Sequence, residues 1–81
     1  MSFSIYIKNL QGKSVMINVN DNDKIMDGKR KYREKIGSQN PDPQWKYGSQ
    51  VLKNEKTFGY YGIEEGDNIT SNDRSEGGKK I

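Results

Sequence analysis

Near the amino end, Phe3, Ile5 and Ile7 alternate with Ser4, Tyr6 and Lys8, and Val15, Ile17 and Val19 alternate with Ser14, Met16 and Asn18. A period of two places the branched and aromatic residues on one face of a strand. The connector Asn9-Leu10-Gln11-Gly12-Lys13 is a glycine-containing hairpin loop. Strands joined so closely are antiparallel, each with one apolar face. Asp21-Asn22-Asp23 follows as an N-cap cluster able to accept from the free amides of a helix start. The helix is expected from about Lys24 to Ile36, with Gly37 as a left-handed terminator. Its apolar stripe is Ile25, Gly28 or Lys29, Tyr32 and Ile36. Gly28 stands where the stripe wants a side chain, so it is expected to cost about 1 kcal/mol in propensity and to leave space in the core.

The remainder is short and punctuated. Pro41 and Pro43 mark an ordered loop, since neither continues a helix or a central strand. Gln44-Trp45-Lys46-Tyr47 reads as a strand with Trp45 and Tyr47 inward, turning at Gly48-Ser49 into Gln50-Val51-Leu52. Thr57 caps a short turn carrying Phe58 and Tyr61, Ile63 follows, and Gly66-Asp67 is a tight turn before a last strand from Asn68 to Ser71. A hairpin, a crossover helix and further strands give an α+β sheet with a helix on one face. Beyond it lies a charged tail holding Gly77-Gly78 and then Lys79-Lys80-Ile81. The division expected is a domain over 1–71 and a flexible tail over 72–81. A diglycine has no side chain, so it can thread a narrow enzyme cleft that any Cβ would block. The plainer reading is a frayed polar terminus.

Composition removes several functions. There is no cysteine and no histidine, which excludes disulfides, thiolate sites and a cysteine nucleophile, and removes the usual zinc ligand and the usual general base. No cofactor or metal is expected. The absence of cysteine suits the cytoplasm or the nucleus, and no apolar run has the length of a signal peptide or membrane span. With 30% apolar and 31% charged residues in 81, the chain makes one small domain of modest stability, expected to be a monomer. The net charge is +3. Cutting after Gly78 would leave +1, so any polyanion affinity depends on Lys79 and Lys80 staying attached.

In this order and spacing, the chain resembles the ubiquitin family, and residues 5 to 78 lie along ubiquitin without an insertion. Ile5-Tyr6-Ile7-Lys8-Asn9-Leu10-Gln11-Gly12-Lys13-Ser14 resembles its opening hairpin. Asp23-Lys24-Ile25 and Lys29-Arg30-Lys31 fall on its helix, and Tyr47-Gly48-Ser49-Gln50-Val51-Leu52 and Thr57-Phe58-Gly59-Tyr60-Tyr61-Gly62-Ile63 fall on its later strands and short helix. The resemblance implies a β-grasp fold: a mixed sheet packed on one main helix. It implies a largely buried Tyr61 whose hydroxyl holds a nearby loop. It also implies a modifier precursor, cut by a processing protease after Gly78 and joined through that glycine by activating and conjugating enzymes, with Arg74 contacting the activating enzyme. All catalytic groups would belong to those partners, and the chain itself would be no enzyme. Leu10, Lys46, Thr70 and Asn72 fall where ubiquitin presents its apolar recognition patch, so ubiquitin receptors should bind poorly. Gln50 and Glu65 stand at two chain-linking lysine positions, while Lys8, Lys13, Lys29, Lys31 and Lys35 fall on other family lysines and are the candidate linkage points.

A second resemblance covers Tyr47 to Ile69, with its Tyr60-Tyr61 pair. It is to the ubiquitin-like domain that ends a large subunit of splicing factor 3a. This implies a non-conjugated interaction domain whose partner is a protein or an RNA, with Lys79 and Lys80 gripping phosphates.

Other clusters have plainer readings. Lys29, Arg30, Lys31, Arg33 and Lys35 read as a solvated helix exterior tempered by Asp27 and Glu34 rather than a nucleic-acid face. Trp45, Tyr47 and Tyr32 read as core rather than stacking platforms. Tyr6 points away from the core, next to Lys8 and Lys46, and is a candidate contact residue. Glu64 and Glu65 diverge as neighbours in a turn and make no acid/base pair.

Overall fold

A computed structural model of the protein describes residues 2–37 and 42–72. The elements are β1 (Ser2–Lys8), β2 (Ser14–Asn20), α1 (Ile25–Ile36), β3 (Gln44–Tyr47), β4 (Gln50–Val51), a 3-10 turn at Gly59–Tyr61 and β5 (Asn68–Asn72). The hairpin is set locally. The Asn9 side-chain oxygen accepts the N–H groups of Gln11 and Lys13, both at 3.0 Å. Gly12 takes φ +88°, which costs a glycine nothing. β1 and β2 then pair antiparallel from Ser2↔Asn20 to Lys8↔Ser14.

β5 returns parallel to β1, with Ile7 opposite Ile69, and β3 pairs antiparallel on its other side, with Trp45 opposite Ser71. The strand order is β2-β1-β5-β3-β4. A mixed sheet on one main helix is the β-grasp arrangement. The core between sheet and helix is one cluster containing Ile5, Ile7, Ile17, Val19, Ile25, Tyr32, Trp45, Leu52, Phe58, Ile63 and Ile69. Trp45 donates its indole N–H to Ser71 Oγ at 3.1 Å and meets Tyr32 edge to face at 5.9 Å. A buried aromatic with a polar atom is thus satisfied. Tyr47 is only half-buried, and its hydroxyl reaches out to donate to Asp67 Oδ2 at 2.8 Å.

Three local expectations need correction. The Asp21-Asn22-Asp23 cluster does not cap the helix. Asp23 turns back to accept the Asn20 N–H at 2.9 Å, and the capping residue is Lys24, whose N–H is accepted by Asp27 Oδ2 at 3.1 Å. The first helical amides, those of Ile25 and Met26, donate instead to the carbonyls of Lys56 and Asn54. Gly28 leaves no space in the core either. A Cβ built there would lie 2.6 Å from Phe58 Cζ, because the Phe58 and Trp45 rings already fill the site. β5 extends one residue past the sequence pattern, to Asn72 opposite Gln44. At its other end α1 closes as the glycine signal indicates: Gly37 sits at φ +69° and donates its N–H to the Arg33 carbonyl. Thr57 Oγ1 accepts the Tyr60 N–H at 3.1 Å, starting the short turn.

Candidate functional site: the outer face of the sheet

The helix covers one face of the sheet, and alternation turns every second side chain of the strands to the other. Register fixes which of them become neighbours. Lys8 pairs with Thr70, Thr70 with Lys46, and Lys46 with Val51, so one row crosses four strands. Two strand spacings separate Lys8 from Lys46, about 10 Å at their backbones. Neither ammonium enters an ion pair among the described residues. In the next row Tyr6 stands between Met16 and Asn68. Tyr6 is 39% exposed and Met16 43%. The expectation that Tyr6 lies beside Lys46 is therefore corrected: β5 intervenes between their strands. Tyr6 does keep Lys8 as its same-face neighbour on β1.

Leu10, Gln44, Lys46, Thr70 and Asn72 line a shallow concavity of about 180 Å³ at the end of this face. It joins four of the expected partner-surface residues and adds Gln44. Alternation with Trp45 could have identified Gln44, since it shares the face of Lys46. Alternation already sets Met16 with Ser14 and Asn18 on the outer side, though not among the contact residues, and Val51, in a two-residue strand, has too short a run for alternation to assign it a face.

The candidate linkage lysines separate by environment. Lys8 and Lys13 are exposed. Lys29 is buried and paired with Asp42 at 2.9 Å, and its ammonium holds the Asp42 carboxyl below the usual carboxylate range, helped by a hydrogen bond from Asn54. Lys31 and Lys35 donate to the carbonyls of Asn18 and Met16, at 2.7 and 2.8 Å. Tyr61 is half-buried rather than largely buried as expected, because its ring lies at the end of the short turn, but its hydroxyl does accept the Lys53 N–H at 2.8 Å, anchoring the loop after β4. Glu65 accepts the Ser4 N–H at 3.0 Å, while Glu64 donates its N–H to Asp67. Arg74, Gly77, Gly78, Lys79 and Lys80 lie outside the described residues, as does Pro41. Among the described residues, no cluster of three or more acidic, histidine or cysteine side chains could hold a metal ion. No described helix is long and apolar enough to cross a membrane.

The model of the ubiquitin family matches residues 5–73. The chain belongs to the ubiquitin family. A comparison with curated proteins finds no match. Within this ubiquitin-family fold, the matched region spans all but the first three residues of the hairpin, together with the helix, the Tyr61 anchor and the row from Lys8 to Val51 on the outer face. What distinguishes the chain is the chemistry of that face, where Lys46, Thr70 and Asn72 give a polar, cationic centre with apolar side chains at its margins.

Proposed function

We propose that this ubiquitin-family chain is the precursor of a protein modifier, matured by cleavage after Gly78. The observation that carries the reading is positional. Four residues separate Asn72, the last residue of β5, from Gly77-Gly78, in a chain whose body has the ubiquitin fold. Hydrolysis of the Gly78–Lys79 peptide bond frees the Gly78 carboxylate. Partner enzymes, contacting Arg74, would adenylate that carboxylate with a nucleoside triphosphate, releasing pyrophosphate. They would then take the glycyl acyl group as a thioester with loss of the nucleoside monophosphate, and pass it to a target amine with release of the thiol. If copies are linked in chains, Lys8 and Lys13 are the accessible acceptors, Lys31 and Lys35 must first leave their carbonyls, and Lys29 must leave Asp42. The test is intact mass after incubation with an extract of the source cells, together with capture of a thioester on an activating enzyme. Loss of Lys79-Lys80-Ile81, blocked in a Gly77→Val/Gly78→Val variant, supports the reading. An unchanged mass with no thioester sinks it.

A second reading is favoured by the outer face, where Lys8 and Lys46 flank Thr70 beside an exposed Tyr6. This is a non-conjugated interaction domain that binds a protein or an RNA through the sheet and the basic residues beyond it. An RNA partner requires binding that falls steeply with salt and is lost when Lys79 and Lys80 become alanine. A protein partner requires binding that Lys46→Glu abolishes and that survives replacement of Lys79 and Lys80 by alanine.

A further inference from the structure

β2 lies at one edge of the sheet with seven residues, against two for β4 at the other. An edge strand displays N–H and C=O groups that invite another strand. Which groups of β2 do so follows from its neighbour. Ser4 donates its N–H to Glu65 and accepts from Gly66, and Tyr6 donates its N–H to the Asp67 carbonyl. The backbone polar groups of Ser4 and Tyr6 therefore point away from β2. In an antiparallel ladder their opposites, Asn18 and Met16, point away from β1 as well. These two residues turn both N–H and C=O to the free edge.

The helix occupies half of those groups. Lys31 holds the Asn18 carbonyl at 2.7 Å and Lys35 the Met16 carbonyl at 2.8 Å. The fit is geometric. Residues four apart on a helix are about 6 Å apart along its axis, and residues two apart on a strand about 6.8 Å, so the two lysines match successive outward carbonyls.

We propose that β2 is a self-pairing strand held closed by Lys31 and Lys35, and that its occupant, once both ammonium groups are gone, is β2 of a second copy of this chain. Antiparallel pairing about a two-fold axis at Ile17 sets Met16 opposite Asn18 of the second copy, and each such pair exchanges two N–H···O=C bonds. The edge is its own complement. The same axis puts both α1 helices on one face of the joined sheet. Four ammonium groups then converge at the seam, each Lys31 4.0 Å from the Asp23 carboxylate of its own chain. The lysines therefore block pairing chiefly by occupying the acceptors, with repulsion between the Lys35 groups added.

The test compares the native chain with K31M/K35M, with K31R/K35R, which keeps charge and donors, and with R30M/R33M, which removes the same charge away from the edge. Sedimentation equilibrium gives mass, and amide hydrogen exchange reports on Met16 and Asn18. The native chain, the arginine pair and R30M/R33M should remain monomeric, with rapid exchange at Met16 and Asn18 and slow exchange at Ile17. K31M/K35M should double its mass with rising concentration and slow exchange at both edge amides by at least about tenfold. If the methionine pair fails to fold, K31Q/K35Q is read by the same criteria. A monomer at every concentration overturns the proposal. So does association that leaves both amides unprotected, equal association of R30M/R33M, or a native chain that already dimerises through β2.

Discussion

Replacing Gly28 by alanine sets two effects of known size against each other. Alanine is the better helix former by about 1 kcal/mol in a helix interior, so propensity alone predicts a more stable protein. The added methyl would meet Phe58 Cζ at 2.6 Å, with Phe58 Cε2 and Trp45 Cζ3 both at 3.2 Å. Ordinary carbon contacts lie at about 3.5–4.0 Å, so the overlap with the ring tip is near an ångström. The ring has little room to yield. Phe58 and Trp45 are both fully buried. The Phe58 N–H is tied to the Asp23 carbonyl, and Trp45 is held by Ser71 and Tyr32. Overpacking of this kind costs about 1–3 kcal/mol, and the size of the overlap puts it in the upper half of that range. The net expectation for Gly28→Ala is a loss of about 1–2 kcal/mol, at about 4–8 °C of melting temperature per kcal/mol in a domain this small. Urea melts measure it as a lower midpoint at unchanged slope. A double-mutant cycle with Phe58→Leu locates the cause: with the ring tip removed, Gly28→Ala should become neutral or stabilising. Equal destabilisation in both backgrounds, or a stabilised single variant, refutes the packing argument.

Asp42→Asn should cost about 1–2 kcal/mol, because it strands the Lys29 ammonium, only 6% exposed, without its carboxylate. In the native chain Lys29 depresses the Asp42 pKa in the folded state, so that contribution is complete above the ordinary carboxylate pKa of about 3.9 and disappears as pH falls through the lower folded value. Acid unfolding of D42N should lack this component. Tyr47 behaves in the opposite sense. Donation to Asp67 raises its pKa, so the stability it supplies is present below the ordinary value of about 10 and is lost as pH rises through the folded one. Asp67→Asn should bring the Tyr47 titration, followed by its ring-proton shifts, back down. On the outer face, Lys46→Leu should tighten binding to a receptor domain that recognises an apolar ubiquitin surface by roughly tenfold, about 1.4 kcal/mol, and an unchanged affinity in calorimetry would show that Lys46 is not what excludes such receptors.

The hairpin was legible because its period-two pattern and the Asn9–Gly12 turn are local signals. The start of α1 was not, since the acceptors for the Ile25 and Met26 amides are the Lys56 and Asn54 carbonyls, on a loop far along the chain. Nor could the pattern show that a distant phenyl ring fills the notch at Gly28. The outer face was half legible. Alternation places Lys46 and Thr70 outward, but only strand order puts Thr70 between Lys8 and Lys46 and moves Tyr6 beside Met16. A one-dimensional pattern contains periods, not neighbours.

The helix cations show what that missing dimension decides. In sequence Lys29, Arg30, Lys31, Arg33 and Lys35 form one basic run, but the fold divides it between the β2 edge and a concavity beside Asp42. Lys29 turns inward to Asp42, and Lys31 and Lys35 reach the edge of β2. Arg30 leans on Asp27 at 3.5 Å and shares with Lys29, Arg33 and Met26 a concavity of about 340 Å³ in which the Asp42 carboxylate is paired with Lys29. Following a phosphate backbone takes several contacts at once. On the outer face Lys8 and Lys46 supply two, and the basic residues past Asn72 would have to add the rest. The proposed cleavage after Gly78 would remove two of those. Maturation as a modifier and binding of a polyanion would then compete for the same residues, and the intact mass of the working protein would decide between them.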